Sequence, residues 1–521
     1  MRKTILALGL LAFLLFFYGL GNRDFWAPDE GDFAEVVREL DGDLIVPHLN
    51  GVPYAEKPPL FYYLAYLSKK AFSPLRDETS TRFVSAFFGL LFVLLFAATM
   101  VKHEGRETGR ACALMLLASP LYYWQARYLQ VDMLFAALAA SSLLFFLSYS
   151  NGGAKPYLSL AALCLGFAFL TKGPLALVLV TPVMLCHLFF RKDLGMVKRK
   201  ESILALALFL AVLLPWYGAV ALKQGLPFLY ENVVKQNFTR FFDAWSHKRP
   251  IYYYLTTLPL DFFPWSLFLP MGLIYAFRRF RAEANTRFFL IWFVWMFLFL
   301  SLSSGKISKY MLPLLPAGCV IASLPLVREM KGYNRAVFSL LSLVFLGLTP
   351  LLLFYKRGLY PEFHREHLLF AAICLTASVL LACFNWRGRS WRAFATVFTA
   401  VAVIFMLADI TVFPKWNPYK SARPLCEKIR PFLRDGTPWV YYGSIRGVYM
   451  YYVGKEAIAV DEHEVGRLHC LAGRLDQFYV LTRLRDLEEV RRALGRVEPV
   501  LEERIGDTSM VFVRYAGGSA R

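Results

Sequence analysis

Charge is what this chain has least of for its length. Asp, Glu, Lys and Arg make up 18% of its 521 residues, while 57% are hydrophobic, including 47 Phe and 28 Tyr. A soluble domain is about one quarter charged and about half apolar, so the shortage excludes an ordinary water-soluble enzyme. Acid is the scarcer sign, with 38 Asp and Glu against 58 Lys and Arg for a formal net charge of +20. Cysteine is sparse as well. Six of the eight cysteines fall inside apolar runs, which excludes a scaffold built on disulfides. Cys426 and Cys470, in the polar C-terminal stretch, could pair in an oxidising compartment or stand as separate thiols. Internal repeats and low-complexity tracts are missing too.

What fills the chain is a succession of apolar runs. They predict membrane spans over 4–20, 82–101, 111–126, 131–149, 157–171, 174–190, 202–222, 257–276, 288–302, 308–326, 336–355, 367–384 and 392–412. Runs on this scale suit a hydrocarbon layer of about 30 Å. With the N-terminus inside, the cytoplasmic loops read "KHEGRETGR", "RKDLGMVKRKE", "FRRFRAEANTR", "VREMKGYNR" and "NWRGRSWR". Short loops rich in Lys and Arg are the positive-inside pattern. The excess charge therefore encodes topology, and its distribution argues against a nucleic-acid partner. The opening "MRKTILALGLLAFLLFFYGL" has the basic head of a signal peptide but no small-x-small cleavage site, and reads as an uncleaved first helix.

The expected fold is an α-helical polytopic membrane protein of about thirteen transmembrane helices with a small C-terminal α/β extramembrane domain. Residues 1–413 are expected to form the membrane domain, including a long outer loop at 21–81, and 414–521 the soluble domain on the outer, periplasmic side. Within the loop, "DFAEVVREL" sets Phe33, Val36, Val37 and Leu40 opposite Asp32, Glu35 and Glu39, the pattern of an amphipathic helix at a membrane surface. In the tail, "PWVYYG", "QFYVLT" and "SMVFVRY" read as strands. "RLRDLEEVRRAL" reads as a helix with Leu484, Leu487, Val490 and Leu494 on one face. Tail charge is nearly balanced, 18 basic against 14 acidic residues from 414 onward, and names no partner.

Polar residues collect at the outer ends of the helices. "FWAPDEGDF" offers Asp29 and Glu30, and "GVPYAEKPPLFYYL" offers Tyr54, Glu56 and Lys57 before a double proline. "YYWQARYLQVDM" gives Arg127 and Asp132, and "FLTKGPLA" gives Lys172. "RFFDAWSHKRPIYYY" gives His247, Lys248 and Arg249, and "SSGKISKYMLPLLP" gives Lys306, Lys309 and Tyr310. Each has an ordinary reading taken alone. Basic residues at helix ends snorkel, Pro-Asp-Glu caps a helix, Lys-Gly-Pro breaks one, and a single histidine on a loop is usually a surface residue. Charge at membrane depth is costly, however, and a mixed set on one side of the bundle marks a site. Carboxylates beside cations suit acid–base work next to a phosphate, which at this depth points to a lipid phosphate. The double proline resists helix and holds its loop extended, turning Glu56 and Lys57 toward a membrane-level cavity.

These segments, in this order, resemble the GT-C membrane glycosyltransferases that use polyprenyl-phosphate sugars. Among those the likeness is strongest to the bacterial transferases that place 4-amino-4-deoxy-L-arabinose on lipid A, with the protein O-mannosyltransferases as more distant relatives. It covers about residues 20–320, and its most specific piece is "GDLIVPHLNGVPYAEKPPLFYYL". The resemblance implies thirteen helices, an outer-face α/β domain and a set of roles. Asp29 matches the catalytic carboxylate, Glu30 stands beside it, and Asp132 is a second acid in the cavity. Lys57, Lys172, Arg249 and Arg127 are expected around the donor phosphate, with Tyr54, Glu56, Lys306 and Tyr310 lining the cavity. Glu56 and His247 are candidate ligands for a divalent metal, the one cofactor the family pattern allows.

Two departures stand out. The aminoarabinose type carries an arginine and a tyrosine shortly after the first acidic pair, whereas here the chain runs Gly31, Asp32, Phe33, and Lys309 adds a base in "KISKYMLP". The function expected is transfer of a sugar, 4-amino-4-deoxy-L-arabinose or a related one, from undecaprenyl phosphate to lipid A or a similar acceptor. The reaction would invert the anomeric carbon at the outer face of a bacterial inner membrane. Rival acceptors are a protein Ser/Thr or another glycolipid. A lipid-linked sugar transporter would place charge at the midplane and show inverted repeats, and neither is evident.

Overall fold

The structure is a computed structural model that describes residues 2–354 and 361–517. It divides into two compact units, one comprising Met1–Leu20, Ala55–Phe61 and Arg82–Val412, the other Gly21–Tyr54, Tyr62–Thr81 and Phe413–Arg521. The second unit's last segment begins at Phe413. Most of the outer loop 21–81 belongs to the second unit, and Ala55–Phe61 to the first.

The first unit is helical. Among the described residues eight helices are long and apolar enough to cross a membrane, or nine if the pair Tyr253–Asp261 and Trp265–Arg278, bent by 114°, is one span. Three shorter apolar helices, Lys3–Phe17, Pro156–Lys172 and Leu175–Arg191, account for further expected spans. The expected 111–126 run is split into Arg106–Leu117 and Pro120–Ala126, because Ser119 is extended and Pro120 opens a new helix. Each of the other expected runs also falls mainly on helical backbone, except that residue 355, the end of the 336–355 run, lies outside the described residues. Val131–Ser150, apolar on every side, buries nearly all its side chains and packs against Pro156–Lys172. That central position places anything polar at its ends deep in the protein.

The second unit holds a five-stranded sheet. Trp439–Tyr442 pairs in parallel with Ile458–Val460 and Gln477–Arg483, and Thr508–Ala516 lies antiparallel between Gln477–Arg483 and Glu498–Ile505. The three predicted strands are present, and so is the helix, as Leu487–Leu494 with Leu487, Val490 and Leu494 buried. Leu484 falls outside it and is exposed. Ile458–Val460 and Glu498–Ile505 went unforeseen, one because it is three residues long, the other because its "EPVLEERI" is too charged to read as a strand. Cys426 and Cys470 are separate thiols, the first buried and the second exposed.

The amphipathic segment forms the helix Asp29–Glu39, started by three acids in its first turn and closed near Arg38, as the helix dipole favours. Phe33, Val36 and Val37 are buried. It packs on the helix Gly447–Val453 so closely that a Cβ on Gly31 would stand 2.2 Å from the Cβ of Val448. Asp32 accepts a hydrogen bond of 2.6 Å from the Gly447 N–H, capping that helix. The departure at Gly31–Asp32 is therefore a packing solution of this unit. Nearby, Asp24 accepts from Arg76 at 2.9 Å and Arg423 at 3.2 Å, and both guanidiniums also approach Glu78.

Gly31→Ala forces this contact apart. It is expected to destabilise the protein by about 1–3 kcal/mol, read as a lowered melting temperature of the detergent-solubilised protein, whereas Gly218→Ala, where a Cβ meets open space, should be far milder.

Candidate active site

The helix Pro156–Lys172 ends in "TKGP". Gly173, at φ 68° and ψ −150°, turns the chain in a conformation costly to other residues, and Pro174 leads straight into Leu175–Arg191. Lys172 is thus fixed at a helix C-terminus, where the dipole favours a cation. Asp132 occupies the first turn of Val131–Ser150, where it favours an anion. Both side chains are buried and meet in an ion pair of 2.5 Å. The Lys172 ammonium also sits 4.8 Å from the centre of the Tyr310 ring and 5.3 Å from that of Phe135.

Lys172 opens on a cavity of about 260 Å³ inside the helical unit. Among the described residues three cations line it, Lys57, Lys172 and Arg240, and no carboxylate does. Most of the remaining wall is apolar, including Val178, Phe241 and Phe299, with Tyr310, Ser303 and Asn237 as polar points. Lys57 arrives on the short segment Ala55–Phe61, which Asn232 anchors by donating from its side-chain amide to the Ala55 carbonyl at 2.8 Å. Its ammonium donates to the Glu56 carbonyl at 2.9 Å. Burial pushes the Lys57 ammonium down to about 8; the Glu56 carboxylate opposes the shift, and the Arg240 and Lys172 charges add to it.

The structure gathers Lys57, Lys172, Asp132 and Tyr310 from the expected set. Glu56 is exposed and does not line the cavity, so the double proline turns only Lys57 inward. Pro58 and Pro59 are buried and lead into the helix Leu60–Ala71. Arg127 is held elsewhere in the bundle, 2.8 Å from Asp409 and donating to the Leu15 carbonyl, while Tyr123 also donates to Asp409. Lys306 is buried and spends its ammonium on the backbone carbonyls of Arg249, at 3.0 Å, and Ser303. Arg249 is exposed, near the Tyr253 ring, and His247 is an exposed turn residue at φ 58°. In the second unit, Asp29 opens the helix Asp29–Glu39 with its side chain part-exposed. Glu30 is fully buried in a 2.6 Å pair with Arg23, and Tyr54 packs edge-on against Tyr62. Among the described residues no group of three or more His, Cys, Asp or Glu side chains is placed to hold a metal ion, and Glu56 and His247 belong to no such group.

Arg240 is the site residue the sequence reading passed over. Its signal is "NFTRFF", a cation set among aromatics in the same stretch as His247, Lys248 and Arg249.

The likenesses to known proteins put this helical bundle among the GT-C glycosyltransferases. The family model described as dolichyl-phosphate-mannose-protein mannosyltransferase matches residues 1–224. The undecaprenyl phosphate-alpha-4-amino-4-deoxy-L-arabinose arabinosyl transferase of Pectobacterium atrosepticum is 32% identical over 84% of this chain and 81% of its own length. The enzyme of the same name from Pseudomonas savastanoi pv. phaseolicola is 32% identical over 72% of this chain and 71% of its own. The crystal structure of ArnT from Cupriavidus metallidurans bound to undecaprenyl phosphate superposes with a TM-score of 0.83 at 19% identity, covering 99% of this chain and 98% of that one. The chain belongs to this arabinosyl transferase family and is a multi-pass membrane glycosyltransferase.

Two outcomes follow from the cavity. Lys172→Met strands the buried Asp132 carboxylate and should destabilise the fold by about 3–5 kcal/mol; adding Asp132→Leu should recover most of that in a thermal melt, while both variants lose turnover. The Lys57 charge is present below its lowered pKa and lost as pH rises through about 8. In the wild type kcat/KM for the donor should therefore fall above that pH. In Lys57→Arg, whose guanidinium stays charged, it should hold through about pH 9.

Proposed function

We propose that this enzyme moves 4-amino-4-deoxy-L-arabinose from undecaprenyl phosphate to a phosphate of lipid A at the outer face of a bacterial inner membrane. The observation that carries the reading is the trio Lys57, Lys172 and Arg240 within apolar walls. Cations beside aromatic and aliphatic surface suit a ligand that is a phosphate at one end and a hydrocarbon at the other. The relatives' names supply the sugar and the carrier, and the thirteen-helix, outer-face topology expected from the loop charges supplies the side of the membrane.

In this reaction an acceptor oxygen bonds to the anomeric carbon as the bond from that carbon to the carrier phosphate oxygen breaks. The electron pair leaves on undecaprenyl phosphate, and the three cations take up the charge that develops there. Charge fixed in place beforehand needs no rearrangement during the reaction, and in many enzymes it accounts for most of the rate enhancement. Attack from the side opposite the carrier inverts the anomeric configuration. A lipid A phosphate is already anionic near neutral pH and needs little help from a base. We assign Asp29, from its match to the family's acid, to orienting the acceptor, with Asp132 holding Lys172 in place.

Mass spectrometry of lipid A from cells carrying the wild type, Lys57→Ala or Asp29→Asn tests this. The wild type should add an aminopentose mass to the lipid A phosphates, and both variants should lose it while still reaching the membrane. Lipid A that is the same with and without the wild-type protein would overturn the acceptor and move it to a protein hydroxyl or another glycolipid.

A further inference from the structure

The second unit has a cavity of its own. It measures about 590 Å³, within the roughly 300–1,000 Å³ of small-molecule sites, and lies between the start of the Thr508–Ala516 strand with the turn before it, the turn after Gln477–Arg483 and the start of Gly447–Val453. Arg446, Arg483 and Arg485 line it, with Tyr441 and Tyr449 in its wall and Asp507 as its one carboxylate.

The tyrosines are unusual. Tyr441 is 2% exposed and Tyr449 is 6% exposed, yet neither hydroxyl has a hydrogen-bond partner among the described residues. Neither hydroxyl oxygen is sealed off as a buried unpaired atom, so both are open to donate to a molecule in the cavity. Burial pushes the Tyr441 phenol up to about 12 and holds Tyr449 well above its ordinary value, so both stay protonated as donors. The two rings are 5.5 Å apart at their centres. The arginines are unequal: Arg483 approaches Glu462 at 3.2 Å and Arg485 approaches Asp486 at 3.2 Å, whereas Arg446 has no ion-pair or hydrogen-bond partner among the described residues. One uncompensated guanidinium beside two phenol donors makes a receptor for a compact anion, and Thr508, Ser509 and Asp507 in the same lining offer polar partners for sugar hydroxyls.

We propose that this cavity binds a phosphorylated saccharide head group, its phosphate held by Arg446 and the Tyr441 and Tyr449 hydroxyls. Ala27 and Pro28, which form part of its wall, run directly into Asp29. The head group is assigned to the acceptor on the strength of the transfer reaction above; the binding itself stands without it.

Calorimetric titration of the full-length protein in detergent is the test, with glucosamine 1-phosphate, glucosamine and inorganic phosphate as probes. The sugar phosphate should bind, glucosamine should not, and inorganic phosphate should bind more weakly. Arg446→Ala should weaken the sugar phosphate roughly tenfold or more, and Tyr441→Phe by several-fold, with melting temperatures unchanged. Equal affinity in the wild type and both variants would overturn the site, and inorganic phosphate binding as tightly as the sugar phosphate would overturn the saccharide. Lipid A in phosphatidylcholine nanodiscs should compete with the soluble probe; absence of competition would overturn the acceptor assignment. Because binding is read and not turnover, failure here leaves the transfer reaction standing, and inactivity of Lys57→Ala leaves this site standing.

Discussion

Everything at the membrane-level cavity depends on one buried ion pair. Lys172 and Asp132 are both almost fully enclosed, and each would be intolerable alone in an apolar bundle. They are held by opposite ends of two packed helices, so the backbone dipoles support both charges before any side chain is counted. The pairing engages Asp132 and leaves Lys172 lining the cavity, beside the Tyr310 ring. Lys57 and Arg240 then add charge that no lining carboxylate balances. An arrangement with this surplus is poised for an incoming anion, and the apolar wall decides what the rest of that anion must be.

The helical architecture was legible in the sequence because membrane insertion leaves little choice: a run of apolar residues must cross as a helix, and basic loops set the direction. Lys172 and Asp132 were legible for the same reason, as charges at the ends of apolar runs. The strands Trp439–Tyr442 and Gln477–Arg483 were legible because fully buried strands are apolar throughout. The number of spans was less clear, since Pro120 and the bend near Pro264 divide runs that look continuous.

What sequence could not convey was which polar residue meets which. Arg127, Lys306 and Glu30 carry the same signature as Lys172, a charge beside an apolar run, yet each is committed to another side chain or to a backbone carbonyl. Arg240 opens the outer-loop stretch quoted for His247, Lys248 and Arg249, and only the fold turns it inward. Asp32 looked like a lost cation until Gly447 supplied the N–H it caps, 415 positions later. Pairings over such separations leave no local trace, because neither residue's neighbours report on the other.

Those separations also set an order of events during synthesis. Asp24 waits for Arg423, 399 residues on, and Asn50 waits for Ala457, 407 residues on. The stretches on both sides of Lys57 are thus among the first made and the last to find their partners, with the loop-closure cost of a long intervening chain between. A ribosome that has inserted every helix has still not delivered the tail that organises the flanks of this cation. Only when residues from Gly447 onward have been made can the stretches 21–54 and 62–81 complete their own unit.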